Sequence, residues 1–567
     1  MKTVNLDSIL KTHDYAKIIN EQKIPPLYKG YTVTEDMVTM KDGTRLKTYT
    51  ARPIGAGIKL PVILRRTPYG LGSLRFFFEM SLYGYICVMQ SCRGRDGSEG
   101  IFIPGTNEKS DTLDTIEWIK RLPDFDGNMA MCGPSYLSME QWQVGGCAPE
   151  ELKTLYLEVY NPYRYMQLYT KGMFRTEAYA GWAAYNAGVK GADIALYEKA
   201  VRHVPQIRMD REVLKKDLGW YRDWVSTPNP AAELWHADPW KSLENAPQEL
   251  NRPVFIHAGW YDPHMEGMFK AYLKIPKEIR NESVFLTAPF NHKGSLSADI
   301  DLSGAYNEVG TRFVKSKLNW FNHMLKGEEL PDYLTKGKAH FYVLGANDWV
   351  NTDYTGKGDR KTVFYLNTDK RTADSRIPAN ETPIKYIYDP KNPVPTWGSE
   401  VIMTDYMYNH RDFCHGIRLQ KEPNYRQDVI SFISDTIMSD ITITGATVSL
   451  DVATTARDTA FTAKLCYVDK DGNSYNLRES ITSVRYEHKD YVPNKRCQVK
   501  IEFFPIAFTF KKGERIRLDV SSSSCPAFHV HPNTQRLWAV EDNPITAEQT
   551  IYGGTIMLDR ANFGLNR

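Results

Sequence analysis

Six short apolar runs between residues 60 and 290 constrain this chain more than any other feature: PVILRRTPY, YGYICVMQS, GNMAMCGPS, LKTLYLEVY, RPVFIHAGWYD and ESVFLTAPF. Each has the length of one strand, and each is too continuously apolar for a sheet with one wet face. Between the second and third, SDTLDTIEWIKRL keeps an amphipathic helical period, and YLSMEQWQVGG does the same after the third. Buried strands alternating with helices predict the α/β class, a mostly parallel sheet covered on both faces. Ahead of these runs, residues 32–53 alternate around a Lys41-Asp42-Gly43 turn and read as a β-hairpin.

The alternation stops between about residues 161 and 251, where the chain turns aromatic and helical in pattern, as in MDREVLKKDLGWYRDWV. Because a strand then resumes, this block reads as an insertion into the sheet domain. Insertions at the carboxyl ends of strands commonly form lids over sites. TRFVKSKLNWFNHMLKG closes the sheet domain as a helix. From about Lys338, short alternating strands such as HFYVLGANDWV, ATVSLDVATTA and RIRLDVSSSS carry turn signals between them, the pattern of a jelly-roll β-sandwich. The expected division is a core over 1–160 and 251–337 with an N-terminal arm over 1–28, a helical cap over 161–250, and a sandwich over 338–567.

The chain's 567 residues leave room for about three or four domains, and 42% hydrophobic with 25% charged residues is an ordinary globular balance. A net charge of +3 without a Lys/Arg stripe gives no footprint for nucleic acid. The first 25 residues place apolar and charged residues at helical spacing and contain no unbroken apolar run of the secretory kind. No stretch approaches the roughly 18 apolar residues of a membrane span. Cytoplasmic residence without membrane contact is the expectation. Eight cysteines show no CxxC spacing and most read as reduced core residues; a Cys466–Cys497 bridge is conceivable, but nothing in the sequence supports it. No HExxH or similar cluster indicates a metal, and no cofactor is expected.

The chemistry-bearing segment is Cys132-Gly133-Pro134-Ser135-Tyr136-Leu137. It follows an apolar strand and precedes a helical pattern, the strand–turn–helix setting of a nucleophile elbow. Leu137 stands where G-x-S-x-G has its last glycine, and a lone Gly-x-Ser is also an ordinary tight turn. Chain order separates the two readings. An α/β-hydrolase places Ser, then an acid, then His, each after its own strand. Asp262 follows FIHAGWY, and His292 follows SVFLTAPFN one strand later. His257 reads as a packed strand residue, and His264 as a surface residue on the next helix. Cys132 precedes the turn and reads as a buried, inert thiol.

Further segments match in the same order: RRTPYG at Tyr69, QSCRGRDGSEG, GWYD ending at Asp262, NHKG at His292, WFNHMLKG, and RIRLDVSSSSCPAF. With these, the chain from about residue 30 to its end resembles the X-prolyl dipeptidyl-peptidase and bacterial cocaine-esterase-like family. That family also includes α-amino-acid ester hydrolases and glutaryl-cephalosporin acylases. The resemblance implies an α/β-hydrolase core, a helical cap and a C-terminal jelly roll, with Ser135 as nucleophile, Asp262 as acid and His292 as base. It also implies an oxyanion hole from the Tyr69 hydroxyl and the Tyr136 backbone amide. Without the resemblance, Tyr69 reads as a strand cap beside Pro68. Two departures stand out: Ser138 replaces the family's glycine, and Ser91 replaces an aspartate that would support Arg93. The acidic cluster of the amino-acid ester hydrolases is absent, because Pro263-His264-Met265 follow Asp262.

These readings together predict a cofactor-independent serine hydrolase forming an acyl-enzyme on carboxylic esters or small amides. The alternatives are an X-Pro dipeptidyl-peptidase and, from another class, a non-catalytic ligand-binding protein on the hydrolase scaffold. A peptidase of that kind needs acceptors for a free ammonium; Glu158 and Glu266 could serve, although an ordinary paired or solvated carboxylate is the plainer reading of each. The expected partner is a small ester, amide or short peptide, and a homo-oligomer is compatible with the sequence.

Overall fold

The six apolar runs lie side by side in one sheet because each can be buried on both faces. The computed structural model describes residues 2–5, 25–70, 75–189, 193–294, 298–302, 316–353, 358, 360–379, 382–404 and 415–563. The first sheet contains β1 (Lys2–Asn5), β2 (Gly30–Thr39), β3 (Arg45–Pro53), β4 (Leu60–Thr67), β5 (Ile86–Ser91), β6 (Phe125–Pro134), β7 (Leu152–Glu158), β8 (Val254–Tyr261), β9 (Val284–Asn291), β10 (Ala339–Val343) and β11 (Asp348–Thr352). Their spatial order is β1-β2-β3-β5-β4-β6-β7-β8-β9-β10-β11. From β5 to β10 all neighbours are parallel, and antiparallel strands complete both edges. Every residue of β4, β5, β8 and β9 is buried. Helices α1 (Glu108–Ile119) and α2 (Tyr136–Val144) follow β5 and β6, as the helical periods predict.

Two segments differ from the sequence reading. Residues 2–5 form strand β1 against β2 instead of a helix, while 6–24 lie outside the described residues. Residues 339–352, read as sandwich strands, extend the first sheet as β10 and β11, with β10 parallel to β9. Short alternating strands look the same whichever sheet edge accepts them.

Between β7 and β8 the chain forms the inserted helices, among them α3 (Thr176–Asn186), α4 (Ile194–Val201), α5 (Gly219–Ser226) and α6 (Trp240–Glu249), together with a two-stranded ribbon at 169–174. After β8 comes α7 (Met265–Lys274). The helix over 316–326 buries Trp320 and Phe321, and the Trp320 indole donates to Thr154 Oγ1 at 2.9 Å. No helix among the described residues is long and apolar enough to cross a membrane.

The C-terminal strands form a second, almost wholly antiparallel sheet that makes a jelly-roll-type β-sandwich. Its long strands Ile441–Thr454 and Ala547–Arg560 pair along their length, with bulges near Gly445 and Val452 that bend them. Buried Glu177 on α3 accepts from Ile402 N–H at 2.8 Å and from Thr404 Oγ1 at 2.8 Å. This clamp holds Ile402 and Met403 of the C-terminal half against the cap. The seven described cysteines, Cys466 and Cys497 among them, are free thiols, and Cys414 lies outside the described residues.

Candidate active site

Strand β6 ends in a tight turn that leads straight into α2. Ser135 has φ 59° and ψ −124°, a conformation costing on the order of 1–3 kcal/mol for a residue with a side chain. Its N–H donates to Glu158 O on β7 at 2.9 Å. Gly133 has φ 143°, and a Cβ there would sit 2.6 Å from both Cβ and Cδ2 of Leu137. Leu137 therefore packs directly over Gly133, where a side chain would force it to shift, and the missing second glycine of G-x-S-x-G is accommodated. Ser138, which takes the family's glycine position, bridges three backbone groups: its Oγ lies 2.6 Å from Gly133 O, 2.9 Å from Glu158 O and 2.7 Å from Glu158 N. The serine thus ties the start of α2 to the ends of β6 and β7.

Asp262 leaves the end of β8 and His292 the end of the adjacent parallel strand β9. The His292 Nδ1–H donates to Asp262 Oδ2 at 2.6 Å, and both residues are buried. The other carboxylate oxygen accepts the His264 N–H at 2.6 Å. Ser135 and His292 line one cavity of about 410 Å³, together with Tyr69, Tyr136, Trp182 and Met403 among others. Core, cap and C-terminal half all contribute walls.

The Tyr69 hydroxyl oxygen accepts the Trp182 indole N–H at 3.1 Å. Burial pushes the Tyr69 phenol up to about 12, against the opposing pull of the Trp182 and Ser135 side chains. The Tyr136 amide lies in the first turn of α2, where N–H groups lack intrahelical partners and face developing negative charge well. Its side chain is held elsewhere, donating to Glu108 Oε1 at 2.8 Å and accepting the Gly105 N–H at 2.9 Å.

Not every expectation survives. His264, read as a surface residue, is 3% exposed and lines the cavity. Its ring stacks on Tyr160 at 5.1 Å and lies 5.5 Å from the His292 ring. Burial drives its pKa down to about 3, the nearby Asp262 charge opposing. Arg93, which lacks the family's aspartate at position 91, is held by Asp111 at 2.8 Å and Asp42 at 2.6 Å instead. Glu158 is paired with Lys317 at 2.8 Å, and neither it nor Glu266 lines the cavity. Asp262, His264 and His292 bring ligand-capable atoms within 4.8 Å of one another, as do Cys92, Glu108 and Glu140. In the first group a proton already joins Asp262 to His292. In the second the Arg66 guanidinium, 2.8 Å from Glu108 and 3.8 Å from Glu140, supplies the positive charge. Trp182, Arg164, Tyr160 and Met403 were not singled out from the sequence, and only the aromatic character of the inserted block, to which Trp182 belongs, hinted at a pocket.

Comparison with known proteins agrees with this architecture. Residues 42–294 match the X-Pro dipeptidyl-peptidase (S15 family) model, and residues 333–555 match the X-Pro dipeptidyl-peptidase C-terminal non-catalytic domain. Cocaine esterase of Rhodococcus sp. (strain MB1 Bresler) is 27% identical over 575 aligned positions, covering 93% of this chain and 97% of that protein. Among solved structures, an aminopeptidase from a marine sediment Thaumarchaeota archaeon superposes with a TM-score of 0.77 at 22% identity, covering 95% of this chain and 98% of that one. An α-amino acid ester hydrolase also reaches a TM-score of 0.77, at 20% identity over 94% of this chain and 96% of that one. At those identities the two structures speak for the fold. The chain belongs to the X-Pro dipeptidyl-peptidase and cocaine-esterase-like family, and it is a serine hydrolase of esters or peptides.

Proposed function

We propose that Ser135, His292 and Asp262 form the catalytic triad and that carboxylic esters are the preferred substrates. The observation that carries the reading is the 2.6 Å Asp262–His292 hydrogen bond beside a strained Ser135 on the same cavity. With Nδ1 engaged by Asp262, Nε2 is the ring nitrogen that takes the serine proton as Oγ attacks the carbonyl. Asp262 holds the tautomer and stabilises the imidazolium without itself taking the proton. The oxyanion that forms is met by the Tyr69 hydroxyl and the Tyr136 N–H. His292 then returns the proton to the leaving alcohol, and water enters by the same path in reverse to release the acid.

Esters come before amides because an alkoxide leaves with less help from the acid than an amine does. The family match keeps X-Pro peptides as the second reading. The domains are read as a core over 1–160 and 251–352, a cap over 161–250 and a sandwich over the remainder. Stopped-flow hydrolysis of 4-nitrophenyl esters tests the acyl-enzyme: a burst of about one nitrophenol per chain is expected when deacylation is slow, absent in Ser135→Ala. An undiminished rate in Ser135→Ala would refute the assignment. A parallel panel of X-Pro dipeptide amides decides between ester and peptide.

A further inference from the structure

One buried cation lines the cavity without a carboxylate among the described residues of its wall. Arg164, at the start of the inserted block, is 7% exposed and lines the same cavity as Ser135 and His292. Its Nη1 donates to Gln167 Oε1 at 2.7 Å, while its buried Nε has no acceptor. The rings of Trp224, Trp240 and Tyr179 surround the guanidinium at 4.0, 4.8 and 5.2 Å. Ring faces stabilise a cation but leave its N–H donors unused. Beside it lies the buried Tyr160 hydroxyl, whose polar neighbours are the Arg164 and Gln167 side chains. Among the described residues that line the cavity there is no Asp or Glu. Asp262 stands behind, its two oxygens engaged by His292 and His264.

Burying a guanidinium with an unmet donor is costly, and this one forms part of the cavity wall. We propose that Arg164 and Tyr160 form a subsite for an anionic group of the substrate, so that the preferred substrates are esters carrying a second, ionised acid. The inference rests on the triad reading of this cavity and adds the charge of what enters it. A planar guanidinium fork with a phenol O–H beside it suits a carboxylate. A free ammonium in the same place would meet Arg164 with no carboxylate to offset it. The anionic group can belong to the acyl or the alcohol portion, and the two are separated by the test.

Mono-4-nitrophenyl adipate against 4-nitrophenyl hexanoate probes the acyl side. The pair 3-carboxyphenyl and 3-carbamoylphenyl butyrate probes the alcohol side. In one of these pairs the wild-type kcat/KM should favour the ionised ester. That ratio should fall on the order of 10- to 100-fold in Arg164→Gln, mainly through KM, and less in Arg164→Lys and Tyr160→Phe. If Arg164→Gln does not fold, Arg164→Met, whose apolar stem suits the three rings, takes its place with the same expectation. A ratio that favours the neutral ester in both pairs, or that the variants leave unmoved, overturns the subsite while neutral-ester turnover keeps the hydrolase reading intact. If no ester is cleaved, the ester preference fails and binding decides the subsite. Hexanoate should then raise the wild-type Tm more than hexanamide does, a difference lost in Arg164→Gln, and equal shifts overturn it.

Discussion

The indole N–H of Trp182 donates to the Tyr69 hydroxyl oxygen at 3.1 Å, joining a cap helix to the residue beside the nucleophile. Because Tyr69 accepts in that bond, its own proton remains to be given to another acceptor. Tyr69→Phe deletes only that donor and should lower kcat on the order of 100- to 1,000-fold with little change in Tm. Trp182→Phe removes the orienting bond and should cost less, about tenfold. In the double variant the Trp182 effect should largely vanish, because it acts through the phenol. Additive losses in a double-mutant cycle would separate the two residues and take Tyr69 out of the oxyanion hole.

His264 predicts a dependence of stability on pH. Its folded pKa is depressed to about 3 from an ordinary 6.5, so the contribution is present above pH 6.5 and is lost as pH falls towards 3. At pH 5 the loss from this residue is about 2 kcal/mol. Burial lowers His257 and His529 in the same direction, and the wild-type acid sensitivity is shared among them. His264→Asn should narrow the difference in unfolding free energy between pH 7 and pH 5. Chemical denaturation at the two pH values measures it, and an unchanged difference would contradict the assignment.

Ser138 predicts a penalty for restoring the family's glycine. Ser138→Gly leaves the buried Glu158 N–H without its acceptor at 2.7 Å and frees the start of α2. Unfolding should be easier by about 1–3 kcal/mol, read from the denaturant midpoint. A neutral or stabilised Ser138→Gly would show that the three short contacts carry no weight.

The parallel sheet was legible in the sequence because strands buried on both faces leave long apolar runs, as in VFIHAGWY and VFLTAPFN. The order of Ser135, Asp262 and His292 was legible for a related reason: each stands where a readable strand stops. His264 was not. Two residues past Asp262 and just ahead of a helix, it resembles a surface residue, and only the segment that follows β7 brings Tyr160 over it. Trp182, Arg164 and Met403 reach the cavity through long-range docking of cap and C-terminal segments, which leaves no local period to read. Residues 339–352 show the same limit, since strand character does not state which edge a strand joins.

The most direct test of the central claim is to find where a serine-directed fluorophosphonate attaches. Peptide mass spectrometry of the labelled wild-type chain should locate one adduct, on Ser135. Labelling should be absent in Ser135→Ala, strongly slowed in His292→Ala, and slowed but still at Ser135 in Tyr69→Phe. An adduct on another residue, or full labelling of Ser135→Ala, would contradict the account.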